Sequence, residues 1–90
     1  MTISYHSLPE HMRDGMRLYI EHGVQPGSFL RAVLSNDLMG ALGRADDVNI
    51  NALPAYGRFL YNEAPSLCWG SPDVVSAWIV RGGMSAPSAA

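Results

Sequence analysis

The chain reads as all-α: a compact orthogonal bundle of four to five helices forming a single domain. Three observations point there. Apolar residues recur at helical spacing, most persistently at Leu30, Val33, Leu34, Leu38, Ala41, Leu42 and Ala45. No segment shows the alternation of a half-buried strand. Four glycines, Gly15, Gly40, Gly43 and Gly57, fall inside helical segments, where each costs roughly 1 kcal/mol relative to Ala. Close backbone approach at steep helix crossings would offset that cost. Ninety residues leave room for one core only, because a chain of this size buries just about 60–65% of its unfolded surface. The domain is expected over residues 1–83, with residues 1–6 as an N-terminal arm and residues 84–90 as a disordered tail of small residues.

The first helix is expected from Ser7 to about His22. Ser7 and Glu10 have the spacing of a capping box. Leu8, Met12, Met16, Tyr19 and Ile20 form the inner stripe, and Gly23 supplies a left-handed stop. Glu10, Arg13, Asp14, Arg17 and Glu21 make the solvated face. Gln25-Pro26-Gly27-Ser28 turns the chain into the second stretch, which is either one long helix or two short ones divided at Ser35-Asn36-Asp37, a run of cap-type residues. Asp46 to Asn51 reads as a polar connection, with Asn51 able to cap a third helix that carries Pro54 in its first turn and runs to about Glu63. Leu53, Tyr56, Leu60 and Ala64 line its inner side, flanked by Phe59 and Tyr61. The clearest start signal is Ser71-Pro72-Asp73: a cap, a proline at the first position and an acid at the positive helix end. That helix runs through Val74, Val75, Trp78 and Ile79 and stops at Gly82-Gly83.

Composition narrows the function classes. The net charge is −2, all six cationic residues are Arg, and charged residues make up 16% of the chain against a usual ~25%. The scattered arginines form no basic stripe, which argues against direct nucleic-acid binding. The low charge points to surface covered by a partner. A single cysteine, Cys68, excludes an internal disulfide framework and fits a reducing cytoplasm. No apolar run is long enough to span a membrane, and the N-terminus carries no signal-peptide pattern.

Asp37 is the sharpest single residue, a carboxylate inside an apolar stripe. It is either an acid made reactive by burial or a structural buried group, neutralised by Arg44 or by an arginine of another helix, or capping a break after Asn36. The structural reading is favoured, with Asp37 and Arg44 as buried polar residues. Asp47-Val48-Asn49-Ile50-Asn51 copies the first half of a calcium loop, but Ala52 stands where glycine is needed and Arg58 where the bidentate Glu belongs. A capping loop explains it better. His11 and His22 are about 16 Å apart on one helix, and no zinc set or nucleophile elbow is present. No catalytic residue, metal ligand or cofactor is therefore expected. Trp69, between Cys68 and Gly70-Ser71-Pro72, suits an interface anchor; the alternative is a lid folded over the core between the third and fourth helices.

Leu8-Pro9-Glu10-His11-Met12, Tyr19-Ile20-Glu21, Pro26-Gly27-Ser28-Phe29-Leu30, Asn36-Asp37-Leu38, Ala45-Asp46-Asp47-Val48-Asn49, Leu60-Tyr61-Asn62-Glu63-Ala64-Pro65 and Trp69-Gly70-Ser71-Pro72 together resemble a family of short proteins encoded by tailed bacteriophages and prophages. The resemblance runs from about Leu8 to Gly83 and carries no catalytic residues over. It implies an accessory protein in the bacterial host cytoplasm that occupies a surface of a host protein complex. The expected role is an inhibitor of a host defence assembly, foremost a type I CRISPR effector kept from DNA, with Asp46, Asp47, Glu63 and Trp69 as the partner-binding residues. Two alternatives stand beside it: a small regulator that binds nucleic acid itself, and a self-associating replication or assembly accessory.

Overall fold

Proline decides where the first helix begins. In the computed structural model, which describes residues 3–84, α1 spans Glu10–His22. The capping box at Ser7 is not used: Pro9 holds the N-cap position and no side chain caps the helix. The residue before a proline is pushed away from helical torsions, so Leu8 cannot join the first turn. Leu8 N–H instead donates to the Tyr5 carbonyl at 3.1 Å, and Arg13 reaches back to the carbonyls of Leu8 and His6 at 2.9 and 3.0 Å. The arm is thereby held, with Ile3 and Tyr5 packed against the core and the Tyr5 ring 5.5 Å from Phe59. Met1 and Thr2 lie outside the described residues, as do residues 85–90 of the expected tail. Met84, placed in that tail from sequence, is docked, its N–H donating to the Ile20 carbonyl at 2.9 Å.

The long stripe divides. α2 is Ser28–Leu34 and α3 is Leu38–Arg44. Asn36 takes a left-handed torsion, φ 62°, and the Asn36 and Asp37 amides close back on the Val33 and Ala32 carbonyls at 3.1 and 2.9 Å. This is the hydrogen-bond signature of a helix that ends on a left-handed residue. The turn re-aims the second half of the stripe. Leu30 and Leu34 are buried, but beyond the turn only Ala41 is, while Leu38 and Leu42 face solvent.

The expected polar connection is a short helix, α4 (Asp47–Asn51), followed by α5 (Leu53–Asn62). Asn51 is not a cap; it lies in the last turn of α4 and its side chain donates to the Asp47 carbonyl at 3.0 Å. Asp46 has the capping role, its Oδ1 accepting from Asn49 N–H at 2.7 Å. With Asp47 to Asn51 helical, alternate oxygens cannot converge on an ion. A 3-10 turn (Ser66–Cys68) leads to α6 (Pro72–Arg81), which starts as read from sequence: Ser71 Oγ accepts from Val74 N–H at 3.2 Å and Gly82, φ 89°, ends it. The described residues thus hold six α-helices instead of four or five and no strand, and the radius of gyration of 12.3 Å matches the ~12 Å of one compact domain of this length.

The core draws on every helix except α4, through Met16, Tyr19, Ile20, Leu30, Leu34, Ala41, Tyr56, Phe59, Leu60, Val75 and Trp78, with Leu8 and Cys68 from the connections. Buried polar atoms are matched across elements. Tyr19 Oη donates to the Cys68 carbonyl at 2.6 Å, Tyr56 Oη to Asn49 Oδ1 at 2.8 Å, and Trp78 Nε1 to the Tyr19 and Ile20 carbonyls at 3.1 Å each. Close backbone approach does not explain the helical glycines. A Cβ at Gly43 or Gly57 would meet nothing within 4 Å, at Gly15 it would make ordinary contact with Leu30, and at Gly40 it would strike the Asp37 carboxylate. Close backbone approach occurs instead between the ends of α1 and α6, where a Cβ on Gly83 would lie 2.6 Å from the Gly23 amide.

Candidate functional site: an apolar groove beside α3

The expected buried pair of Asp37 and Arg44 is not present, because the break at Asn36 brings both to the surface. Asp37 caps α3, its Oδ1 accepting from Gly40 N–H at 2.9 Å. Arg44 donates to the Gly40 carbonyl at 3.1 Å, and no carboxylate among the described residues lies within 4.0 Å of it. What the break does create is a groove of about 180 Å³ between the α2–α3 turn and α5. Val33, Leu38, Ala41, Leu53, Leu60 and Gly57 line its apolar part, with Tyr61 and Trp69 along it and Asn36 and Asp37 at its polar end.

Trp69 and Tyr61 form one edge, their rings in T-shaped contact with centroids 5.0 Å apart. Trp69 is half-buried and packs against the core on its other side, so it is part lid and part groove wall. Its position is fixed from both flanks: the Cys68 carbonyl is held by Tyr19, and Gly70 N–H donates to the Leu34 carbonyl at 2.8 Å. The groove continues onto an uncovered face of α3. Leu38 and Met39 are 62% and 76% exposed, and Tyr61 opposite is 80% exposed. Leu38, Met39 and Leu42 lie within about 100° of one another around the helix, so their side chains form one apolar face with no charge inside it.

The three acidic candidates are placed elsewhere. Asp46 is tied up twice, by its capping bond and by His11 Nε2 at 3.2 Å on Oδ2. The Asn49 amide, and after it His11, hold its carboxyl below the ordinary range. Asp47 is exposed in the first turn of α4, and Glu63 accepts from Ser4 N–H at 3.1 Å. Neither Asp46, Asp47 nor Glu63 lines the groove. Of the four expected partner-binding residues, only Trp69 does. Leu38 was missed as a surface residue because it sits at core-compatible spacing, and Tyr61 because it flanks the inner stripe of its helix; Met39 falls outside the stripe and was not singled out. The one available signal was the cap-type run Ser35-Asn36-Asp37, which a break would have translated into an outward-turned α3.

Chemically, the site offers contact area and a single solvated carboxylate. Its volume is below the ~300–1,000 Å³ of small-molecule sites, enough for one or two side chains. A second cleft of about 250 Å³ lies on the other side of the α2–α3 turn, lined by Ser28, Arg31, Ala32, Ser35, Asp37, Arg44 and Pro72. Among the described residues no group of three or more His, Cys, Asp or Glu could hold a metal ion, and no helix is long and apolar enough to cross a membrane. Comparison of the chain with known protein families, with curated proteins and with solved structures returned no match.

Proposed function

We propose that this chain is a non-enzymatic binding protein that attaches to another protein through the groove between α3 and α5 and the apolar face of α3 beside it. The observation that carries this reading is the exposure of Leu38 and Tyr61 on a ready-made groove, with exposed Met39 next to Leu38 on α3. Contiguous apolar surface on a small domain marks an interaction site, and an aromatic edge anchored to the core, such as Tyr61 on Trp69, is the kind of rigid contact that dominates interface energies. The low charge fraction of 16% agrees with a surface meant to be covered.

The resemblance to bacteriophage and prophage proteins makes a host defence complex the first partner to test, above all a type I CRISPR effector whose DNA binding would be blocked. The direct measurement is biolayer interferometry of the purified protein against such an effector, with and without its target DNA. Binding in competition with DNA, weakened roughly tenfold or more by Met39→Glu or Tyr61→Ser, is the expected result. Both side chains face solvent, so the fold should survive either change. Failure to bind effectors from the natural host would remove that partner. If Asp47→Lys and Glu63→Lys weaken binding while Met39→Glu does not, the acidic surface is the contact and the groove is not.

The same apolar face also favours a second reading, self-association. Light scattering separates the two: a dimer dissolved by Met39→Glu would assign the face to a second copy of this chain.

A further inference from the structure

The groove has a charged neighbour whose sign specifies what should lie across it. Arg31 and Arg44 both line the cleft on the far side of the α2–α3 turn, together with the hydroxyl-bearing Ser28 and Ser35. Neither guanidinium has a carboxylate within 4.0 Å, since the ion pairs among the described residues are His11–Asp46 and Arg17–Asp14. Each spends one hydrogen bond on the protein, Arg31 on Ser76 Oγ at 3.3 Å and Arg44 on the Gly40 carbonyl. A guanidinium has five N–H donors in a fork that matches a carboxylate, so most of that capacity is unused. Among the described residues Asp37 is the only acid lining the cleft, and one of its oxygens is occupied by Gly40 N–H. Two guanidiniums against one carboxylate leave the cleft positive in a chain whose net charge is −2.

Asp37 also lines the apolar groove, so the two depressions adjoin across the start of α3. Building on the docking role assigned to the groove, we infer that groove and cleft form one bipartite site for an acidic–apolar segment of the partner protein. An aliphatic or aromatic side chain would fill the groove against Leu38, Tyr61 and Trp69, and an Asp or Glu of the same segment would pair with Arg31 and Arg44. The two halves meet at Asp37, which lines both. Because the halves adjoin, an extended chain at ~3.3 Å per residue carries its acid within a few residues of the apolar anchor. A basic segment is disfavoured at the cleft by like charge, and a free anion would leave the groove empty.

The test is selection of a yeast-displayed library of random twelve-residue peptides on the purified protein, followed by fluorescence polarisation of the synthetic winners. Expected winners pair an aliphatic or aromatic residue with Asp or Glu at that spacing. Their binding should weaken roughly fivefold or more on Arg44→Glu or Arg31→Gln, and on raising salt from about 50 to about 500 mM. Tyr61→Ser should weaken it similarly. Far-UV circular dichroism of each variant checks the fold, and Arg44, on the exposed face of α3, is the safer substitution should Arg31 prove structural. Winners without an acid, or indifferent to Arg44→Glu while lost on Tyr61→Ser, overturn the arginine cleft and leave groove docking standing. Winners indifferent to Tyr61→Ser overturn both. No enriched peptide, alongside a partner complex that still depends on Met39, overturns this inference alone.

Discussion

Tyr19→Phe removes one oxygen atom and tests what holds the groove's edge in place. Tyr19 is fully buried in α1, and its hydroxyl donates at 2.6 Å to the carbonyl of Cys68, at the end of the 3-10 turn that leads into Trp69. No backbone amide among the described residues donates to that carbonyl. The substitution conserves the ring and its packing, so the cost is that of an unpaired buried carbonyl, about 1–3 kcal/mol. For a domain of this size, 1 kcal/mol corresponds to roughly 4–8 °C in Tm. A loss near the middle of that range, about 2 kcal/mol, lowers Tm by ~8–16 °C. Thermal unfolding followed by circular dichroism reads this directly, with Tyr61→Phe as the control, since Tyr61 is exposed and its change should stay within about 0.5 kcal/mol. A fall in Tm below ~2 °C would show that the Tyr19 bond does not staple the turn to α1, and the account of how Trp69 is positioned would go with it.

Four further outcomes rest on the same geometry. Gly43→Ala should stabilise the domain by about 0.5–1 kcal/mol, because its Cβ enters open space, whereas Gly83→Ala should destabilise by more than about 2 kcal/mol, because φ is +73° and the Cβ meets the Gly23 and His22 amides; equal melting temperatures for the two would contradict the α1–α6 contact. Asp37→Ala should cost about 1 kcal/mol by urea titration, the loss of a helix cap, and Asp37→Asn much less; a loss above about 3 kcal/mol would restore the buried-ion-pair reading. Burial raises the pKa of the Tyr5, Tyr19 and Tyr56 hydroxyls and pushes the Cys68 thiol up to about 12. Groups raised in the fold contribute stability that is complete below their unfolded values, 9.0 for the thiol and 10.0 for the phenols, and lost as pH climbs toward the folded ones. Tm should therefore fall from about pH 9 upward, and a flat profile to pH 11 would refute the burial assignments. In the same vein, native Cys68 should resist a thiol reagent at pH 8 until urea is added.

Local signals carried the sequence reading where the relevant physics is local. The start of α6 was legible because Ser71, Pro72 and Asp73 each satisfy a requirement of a helix N-terminus within three residues. The ends at Gly23 and Gly82 were legible because left-handed torsions favour glycine. The Ser7 box failed because Pro9, equally local, prevents Leu8 from entering the helix, and Asn51 lost its capping role because Asp46 begins a helix of its own five residues earlier. Of the candidate site, Trp69 was legible as a loop aromatic; the exposure of Leu38 and Tyr61 beside it in the groove was not, since periodicity gives the angle between side chains on a helix and not which way the helix is turned.

By itself, then, the sequence determined that helices form, roughly where they stop, and that their apolar stripes close one small core, because torsional preference, capping and hydrophobic spacing act over a few residues. Only the tertiary structure decided which part of a stripe is buried. A single left-handed residue, Asn36, rotates α3 about its predecessor, and so places Leu38 and Leu42 outside, Asp37 and Arg44 on the rim, and Arg31 across from Arg44 in one cleft. Such a rotation depends on what α2, α5 and α6 leave uncovered, and that is a property of the assembled packing.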